Sequence, residues 1–275
     1  MTRGVSWRVN AERLMLFAWA RAILLQLAHP LVAAGVAEHS TFRGGVLAAA
    51  LRLHHTVRAM LSLTFGDAPA REQTLDTIRA IHRRVNGRLP HTVGSFASGT
   101  AYSAEDPALL LWVHATLLDS VLLVYDRVVS PLSTAERDAY CEEAAATAIA
   151  LGAREADVPR TWATLRRYVD TMLASGTLAV GAQARELADA VLAPAGARAV
   201  WPAAQVNRLI TIGLLPATVR EQYGFRWRRR AERCLDAVLR VMRTLRRGAP
   251  QWLIYWPEAR QLQSDISSIS ATRRT

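Results

Sequence analysis

Proline and glycine residues stand mostly at the borders of runs in which apolar residues recur every three or four positions, the spacing of one face of an α-helix. Ala, Leu, Val and Arg dominate, and 51% of the residues are hydrophobic. A chain of 275 residues has ample material for a buried core. The pattern therefore predicts an all-α protein, built as a single-domain bundle of many helices.

The two ends of the chain differ in composition from the rest. Residues 1–10 read as a short polar lead, and the tail at residues 261–275 is rich in Ser, Thr and Arg, so we predict that it is flexible. We take residues 11–260 as one domain, because no repeat or internal boundary is visible. The lead does not resemble a secretory signal, and we expect a cytoplasmic protein.

All the formal positive charge of the chain is arginine, because the sequence contains no lysine, and the net charge is +11. A chain without lysine cannot form a Schiff base through a lysine or hold pyridoxal phosphate in that way, which excludes several enzyme classes. The densest arginine cluster lies at residues 226–233. We expect first a solvated helix surface, second a contact with anionic lipid headgroups at a membrane periphery, and third nucleic acid, which we do not predict as a partner.

The two cysteines, Cys141 and Cys234, are far apart and form no C-x-x-C pair. We therefore expect no structural disulfide, and covalent attachment of a c-type haem is excluded. H-E-x-x-H, G-x-S-x-G, P-loop and Glu-x-x-His patterns are also absent from the sequence.

Residues 51–87 read as two helices joined by a short loop at residues 66–69. On the first helix, Arg52, His55 and Thr56 are spaced by three and four positions, so they share one face. A buried arginine on an apolar face needs an anionic partner, and Thr56 could simply bond back to the carbonyl of Arg52.

The second of these helices places His82 on an apolar stripe. The stripe consists of Leu75, Ile78, Ile81 and Val85. The sequence thus predicts an inward imidazole that faces the helix of Arg52. A histidine in this place is either a core residue bonded to a buried carbonyl or a metal ligand, most simply the axial ligand of a haem, and spacing alone does not decide between them.

His114 is a second inward histidine. Asp106 and Pro107 open an apolar helix that runs to about Val129, and His114 lies on its apolar face. Between the two helical regions, residues 88–104 are rich in Gly, Ser and Thr and read as a long functional loop or lid.

Four segments, in this order along the chain, resemble the latex-clearing rubber oxygenase and MpaB oxygenase family. They are QLAHPLVAAGVAEHSTF, RLHHTVRAMLSLTFGD with its Arg-x-x-x-Thr spacing, IRAIHRRVNG, and AYSAEDPALLLWVHATLLDSVLLVYDR. The resemblance covers roughly residues 7 to 260, so it identifies residues 11–260 as a catalytic domain of that type. Members of the family are helical b-type haem proteins that use O2 to cleave isoprenoid double bonds.

The resemblance implies a buried haem pocket in a globin-like core and assigns roles to particular residues. It implies that His82 binds the haem iron and that Arg52 contacts the haem, with His114 as a further residue of the pocket and the rival axial ligand. It places Arg52, His55 and Thr56 near the bound O2, and Glu38 as an acid or base beside them. His55 departs from the family, in which this position is a lysine.

We therefore expect a haem b-dependent oxygenase that attacks or cleaves an isoprenoid-like double bond of a hydrophobic small molecule, with O2 as co-substrate. The alternative is a helical protein without catalytic activity that binds an apolar ligand or an anionic membrane surface. The sequence predicts neither the substrate nor the oligomeric state.

Overall fold

The structure, a computed structural model, describes residues 4–39, 45–192 and 201–260, with side chains except at 45–54 and 201. The predicted flexible tail at 261–275 lies outside the described residues. The α-helices are α1 (Val5–Asn10), α2 (Leu16–Leu27), α3 (Pro30–His39), α4 (Gly45–Phe65), α5 (Ala68–His82), α6 (Pro107–Val128), α7 (Thr134–Leu151), α8 (Trp162–Ala174), α9 (Ala182–Leu192), α10 (Trp201–Gly213), α11 (Ala217–Gln222), α12 (Arg229–Gly248) and α13 (Gln251–Ile254). Two short strands, β1 (Asn86–Arg88) and β2 (Ala101–Ser103), pair antiparallel. The all-α prediction is confirmed.

Helix α6 is the centre of the core. It packs most extensively against α2, and also against α7, α8 and α12. Its side chains Trp112 and Leu122 are fully buried, as are Leu24 and Leu25 of α2. Each fully buried leucine stabilises the fold by roughly 1.5–3 kcal/mol relative to an exposed one. This apolar contact explains why the two helices are hydrophobic nearly all round.

Among the described residues, α6 is long and apolar enough to span a membrane by length and composition, but 72% of its apolar window is buried inside the protein. Helices α2 and α3 pass the same test only as a pair, and they are bent by 107° where Pro30 begins α3. Burial of this extent is typical of a core helix.

The ends of α6 and α7 follow the sequence signals. Asp106 accepts a hydrogen bond from the backbone N–H of Ala108, two residues into the first turn of α6. Ser133 and Glu136 form a reciprocal capping box at the start of α7. Gly152 ends α7 with a φ of +110°, which a residue with a side chain rarely adopts.

A buried ionic network joins α2, α6, α8 and the end of α10. Arg21 Nη1 lies 2.9 Å from Asp119 Oδ2, and Arg21 Nε donates to the carbonyl of Leu214 at 2.7 Å. The other carboxylate oxygen of Asp119 binds Arg166 Nη1 at 2.6 Å. Arg21 and Asp119 are only 3% and 2% exposed. Each charge is therefore paired, as a charge inside a protein must be.

Residues 5–10, which the sequence assigned to a polar lead, form helix α1 and bury Val9 in the main core. The buried Glu12 that follows binds Arg246 of α12 and pairs through its backbone with Tyr255. The N-terminal segment is thus an integral part of the bundle. The limits of the domain at residues 11 and 260 stay predictions.

Residues 88–104 are more ordered than the predicted loop. The strand pair holds both ends of this segment together, because Gly87 is opposite Tyr102. A second, isolated bridge pairs Val93 with Phe96 at its far end. The segment is therefore a closed hairpin, and the alternation needed to recognise such short strands is absent from the sequence.

Helices α4 and α5 form a hairpin that packs against α1 and α7. Asp67 caps α5, and Ser62 Oγ of α4 lies 2.8 Å from Thr74 Oγ1 of α5. Only Leu75 of the predicted stripe on α5 is buried. The placement of Ile81 on that stripe is wrong, because its side chain is 54% exposed. Helix α5 touches the bundle along a narrower face than its apolar spacing predicts.

Candidate functional site

His82 is the last residue of α5, and its ring is half-buried. The ring nitrogen Nδ1 is buried and has no hydrogen-bond partner among the described residues. Burial lowers the pKa of His82, and the nearby carboxylate of Glu105 opposes this shift only in part. The imidazole is therefore held neutral, with a nitrogen that no described group of the protein satisfies.

The chain that follows His82 turns directly towards the end of α3. The Nε2 atom of His39, the last residue of α3, lies 3.1 Å from the backbone oxygen of Asn86 in β1. A side chain at Gly35 would begin 3.2 Å from the Val85 side chain, so glycine allows α3 to approach this closely. The C-terminal ends of α3 and α5 and the strand pair thus form one corner of the molecule, which we call the α3–α5 corner.

Glu38 lies in the α3–α5 corner and is bonded to Tyr102 of β2. The Tyr102 hydroxyl donates to Glu38 Oε2 at 2.5 Å and lies 3.5 Å from His39 Nε2. Burial raises the pKa of Tyr102, and the hydrogen bond to the Glu38 carboxylate raises it further. The phenol therefore keeps its proton and orients a carboxylate whose residue is exposed at the surface.

Tyr102, which binds Glu38, belongs to a small apolar cluster. This cluster contains Leu31, Ala34, Leu89, Tyr102 and Leu109, with Val32, Val93 and Phe96 packed against it. The ring of the buried His29 lies 5.3 Å from that of Phe96. One side of the corner is thus apolar, and the carboxylate of Glu38 lies at its edge.

His114 lies on the central helix α6, away from the ends of α3 and α5 in the sequence. Its Nε2 atom is buried and has no hydrogen-bond partner in the described part of the chain. Burial lowers the pKa of His114 to about 4. The indole N–H of Trp112, two residues earlier, is also buried and unpaired within the described residues. His114 is therefore a second neutral imidazole with an unsatisfied nitrogen.

The predicted catalytic residues on α4 are placed differently. Arg52 lies in the helix, but its side chain is outside the described residues. His55 and Thr56 are exposed. The structure thus brings Glu38 into one corner with the end of α5, whereas it leaves His55 and Thr56 on a surface of α4. The roles assigned to these four residues and to His82 and His114 stay predictions.

Tyr102 and His39 of the α3–α5 corner were not identified as site residues from the sequence. Tyr102 and Phe96 are the two Phe, Trp or Tyr residues of a Gly-, Ser- and Thr-rich stretch, which was a weak signal. His39 directly follows Glu38, and its role depends on a contact with Asn86, 47 positions away. Only the fold shows such a contact.

Within the described ranges, no group of three or more His, Cys, Asp or Glu side chains could hold a free metal ion. A haem needs a single axial ligand from the protein, so this finding does not bear on haem. An open cleft of about 460 Å³ is lined by Arg127, Asp236, Leu239, Arg240 and Arg243. None of these residues belongs to the predicted site.

Comparison with known proteins decides the family. Residues 7–246 match the model of the ER-bound oxygenase mpaB/B'/Rubber oxygenase catalytic domain. The chain belongs to this family. Membership in the mpaB/rubber oxygenase family supports a general oxygenase function and the use of O2.

Two mycobacterial relatives extend the comparison. The uncharacterized protein Rv2237 of Mycobacterium tuberculosis and the uncharacterized protein Mb2261 of Mycobacterium bovis are each 26% identical to this chain over 244 residues. The aligned part is 86% of this chain and 91% of each relative. No solved structure matches the chain significantly. The two relatives share nearly the whole domain, and their names state no activity.

Proposed function

We propose that this member of the mpaB/rubber oxygenase family is a b-type haem-dependent oxygenase that acts on a hydrophobic small molecule, by attack on or cleavage of an isoprenoid-like double bond. The observation that carries the proposal is the neutral, half-buried imidazole of His82, whose Nδ1 atom has no partner among the described residues.

The donor set fits a haem better than a free metal ion. A neutral imidazole is the commonest protein ligand of haem iron, and an unsatisfied ring nitrogen inside a protein costs free energy unless a ligand uses it. His82 and His114 both meet this condition. We propose that His82 would bind the haem iron, because its segment resembles the histidine segment of the family and because it lies beside the corner that contains Glu38. When bound, haem would supply the redox chemistry that activates O2.

The residues of the chain would bind, orient and handle protons. Arg52 would pair with a negatively charged group of the haem, since its guanidinium is always charged. His55 or Arg52 would polarise O2 through a donated hydrogen bond. Glu38 would accept or return a proton at its carboxylate, while Tyr102 fixes the orientation of that carboxylate through its 2.5 Å hydrogen bond.

The apolar side of the α3–α5 corner supports a hydrophobic substrate. The apolar cluster that contains Tyr102 lies in this corner, and the Tyr102 hydroxyl links it to the exposed carboxylate of Glu38. In such surroundings an apolar molecule gains from burial, and a charged one would lose its hydration. We therefore propose an apolar, terpenoid-like substrate of small size.

Visible absorption spectroscopy tests the haem proposal directly. The purified protein, incubated with haemin and freed of excess, should show a Soret band. The His82→Ala variant should lose it, and the matched variant His114→Ala should keep it, because only one of the two buried imidazoles would bind the iron. Far-UV circular dichroism of both variants checks that each remains helical.

Two results would contradict this assignment in different ways. A protein that stays colourless after haemin is added would exclude haem and favour the alternative, a helical protein without catalytic activity. A Soret band that is lost in His114→Ala and kept in His82→Ala would retain the haem and move the axial ligand to α6.

Oxygen uptake with terpenoid substrates tests the proposed role of Glu38. The Glu38→Gln variant keeps an acceptor for the Tyr102 hydroxyl but cannot exchange a proton. We expect turnover to fall by roughly 100-fold or more with the Soret band unchanged, as for loss of a general acid or base. Full activity in this variant would exclude proton transfer by Glu38.

A further inference from the structure

We propose that the outer surface of α12 and α13 docks on an anionic lipid bilayer. This surface, called the α12–α13 face, is formed by the exposed apolar side chains Val241, Leu245, Trp252 and Leu253 and by an adjacent row of exposed arginines. The row consists of Arg233, Arg240 and Arg247. The proposal is independent of the proposed oxygenase function.

Exposed apolar residues are concentrated on this face. Val241, Leu245, Trp252 and Leu253 are 55%, 67%, 55% and 48% exposed. Among the described residues, Ile81 is the one other large apolar side chain with comparable exposure. Val241 and Leu245 are four positions apart, so they lie on the same side of α12, and Ala237 precedes them on that side. Exposed apolar side chains that share one side of a helix mark a contact surface.

A row of arginines lies on the neighbouring side of the helix. Arg233, Arg240 and Arg247 are seven positions apart, which places them in one row along α12, next to the apolar strip. Arg229 and Arg230 at the start of the helix are also exposed, and the acidic residues of α12 are Glu232 and Asp236. Asp236 is already paired with Arg127 of α6. The outer surface of α12 therefore has an excess of positive charge.

The opposite side of α12 fixes its orientation. Leu235 and Leu239 are buried in the main core, Arg246 binds the buried Glu12, and Arg243 donates to the backbone oxygen of Asp126. The inward arginines thus have partners inside the protein, whereas Arg233, Arg240 and Arg247 are exposed, with Arg240 also at the edge of the cleft beside Asp236. Rotation of the helix to bury the strip would break these contacts.

An anionic bilayer fits both properties of the face. Arginines are attracted to lipid phosphates and to the negative surface potential, while Leu and Trp side chains enter the boundary between headgroups and acyl chains. A nucleic acid would use the arginines but would leave the apolar strip in water. The combination of an apolar strip and a basic row therefore favours the membrane.

Vesicle co-sedimentation of the full chain tests the proposal. We expect binding to vesicles of phosphatidylcholine mixed with phosphatidylglycerol, weaker binding to phosphatidylcholine alone, and weakening by added salt. The triple variant Arg233→Gln, Arg240→Gln, Arg247→Gln should lose roughly 100-fold in vesicle affinity, because each arginine near a surface contributes about a fivefold factor. Leu245→Ser should lose about tenfold.

Matched variants control for charge and for apolar surface. Arg71→Gln, Arg154→Gln, Arg167→Gln removes the same charge from three exposed arginines outside the face. Ile81→Ser removes an apolar side chain of similar exposure from α5. Both variants should bind vesicles within about twofold of the parent chain, because neither changes the α12–α13 face.

Three results would overturn the proposal. The first is that the parent chain binds no anionic vesicle even at low salt. Losses in the control triple variant equal to those in the α12 triple variant would mean that net charge alone drives binding. Displacement of the protein from vesicles by a short DNA duplex, with no effect of Leu245→Ser, would assign the face to nucleic acid instead.

Discussion

The pairing of buried polar groups differs between the contact of α2 with α6 and the hairpin of α4 and α5. In the first region, Arg21 and Asp119 are almost fully buried, and each binds more than one partner. In the second, His82 is half-buried and leaves Nδ1 without a partner among the described residues, beside an exposed Ile81. The ionic network of the first region is fully paired among the described residues, whereas the second region leaves a ring nitrogen available to a ligand.

The difference indicates which buried groups stabilise the fold and which are available to bind a ligand. Buried, fully paired groups hold four helices in one arrangement, so substitutions there should act on folding. An unsatisfied nitrogen lowers stability until a ligand occupies it, so substitutions at His82 should act on binding. His114 is the exception, since it belongs to α6 and is also unsatisfied within the described residues. The comparison with His82 therefore has to be made by spectroscopy.

The largest effect is expected at Asp119. The Asp119→Ala variant leaves the guanidinium of Arg21 buried without its carboxylate, which should lower the free energy of unfolding by about 3–5 kcal/mol. Asp170→Ala is the matched control, since Asp170 binds the same Arg166 at an exposed site and should contribute about 0–1 kcal/mol. Urea denaturation monitored by circular dichroism measures both. Equal losses of unfolding free energy in the two variants would show that the buried ion pair stabilises the protein no more than the exposed one does.

A smaller difference is expected between apolar residues of the two regions. Leu24→Ala in α2 removes a fully buried side chain and should cost about 2–5 kcal/mol, because a cavity remains. Ile81→Ala in α5 should change the unfolding free energy by no more than about 0.5 kcal/mol, because about half of the side chain is already exposed to solvent. Chemical denaturation of both proteins compares them. A large loss in Ile81→Ala would mean that this residue is covered in solution.

The sequence predicted the core region well because its signals are local. Apolar spacing marked α2 and α6, Asp106 and Pro107 marked the start of α6, and the capping box marked the start of α7. The ionic pair is also predictable from the sequence, since Arg21 and Asp119 are oppositely charged and each interrupts a long apolar helix. Two such charges can be buried only if they meet.

The candidate site was less predictable because it depends on distant contacts. The spacing that put Ile81 on a buried stripe gives a helical face but not the width of the surface that covers it. Tyr102 reaches Glu38 only because a short hairpin closes between them, 64 positions apart. The resemblance named Glu38 and His82, but no local pattern could place Tyr102 beside them.

The pH dependence of unfolding tests how much a buried histidine contributes to the stability of the protein. Burial lowers the pKa of His29 to about 4, so the unfolded chain takes up a proton on this residue at a higher pH than the folded chain does. The stability that neutral His29 contributes is present above about pH 6.5 and is lost as the pH falls towards 4, at a slope of about 1.4 kcal/mol per pH unit. Thermal and urea unfolding between these pH values measure the slope.

The variant His29→Gln should reduce this acid slope, since glutamine does not titrate. His91→Gln, at an exposed position of the hairpin segment, should leave the slope of the parent chain unchanged. If both variants keep the full slope, other groups must bind the protons, and the burial of His29 would have little weight in acid unfolding.

The smallest effects are expected at two helix caps. Substitutions there test whether the α4–α5 hairpin unfolds together with the core. Asp106→Ala and Asp67→Ala each remove one capping hydrogen bond, which costs about 0.5–2 kcal/mol. In α6 this loss should appear in global unfolding. In α5, which is held mainly by α4 and α7, it should appear as faster hydrogen exchange of residues 68–82, with global unfolding nearly unchanged. Global destabilisation of equal size in both variants would show that the α4–α5 hairpin and the core form one cooperative unit.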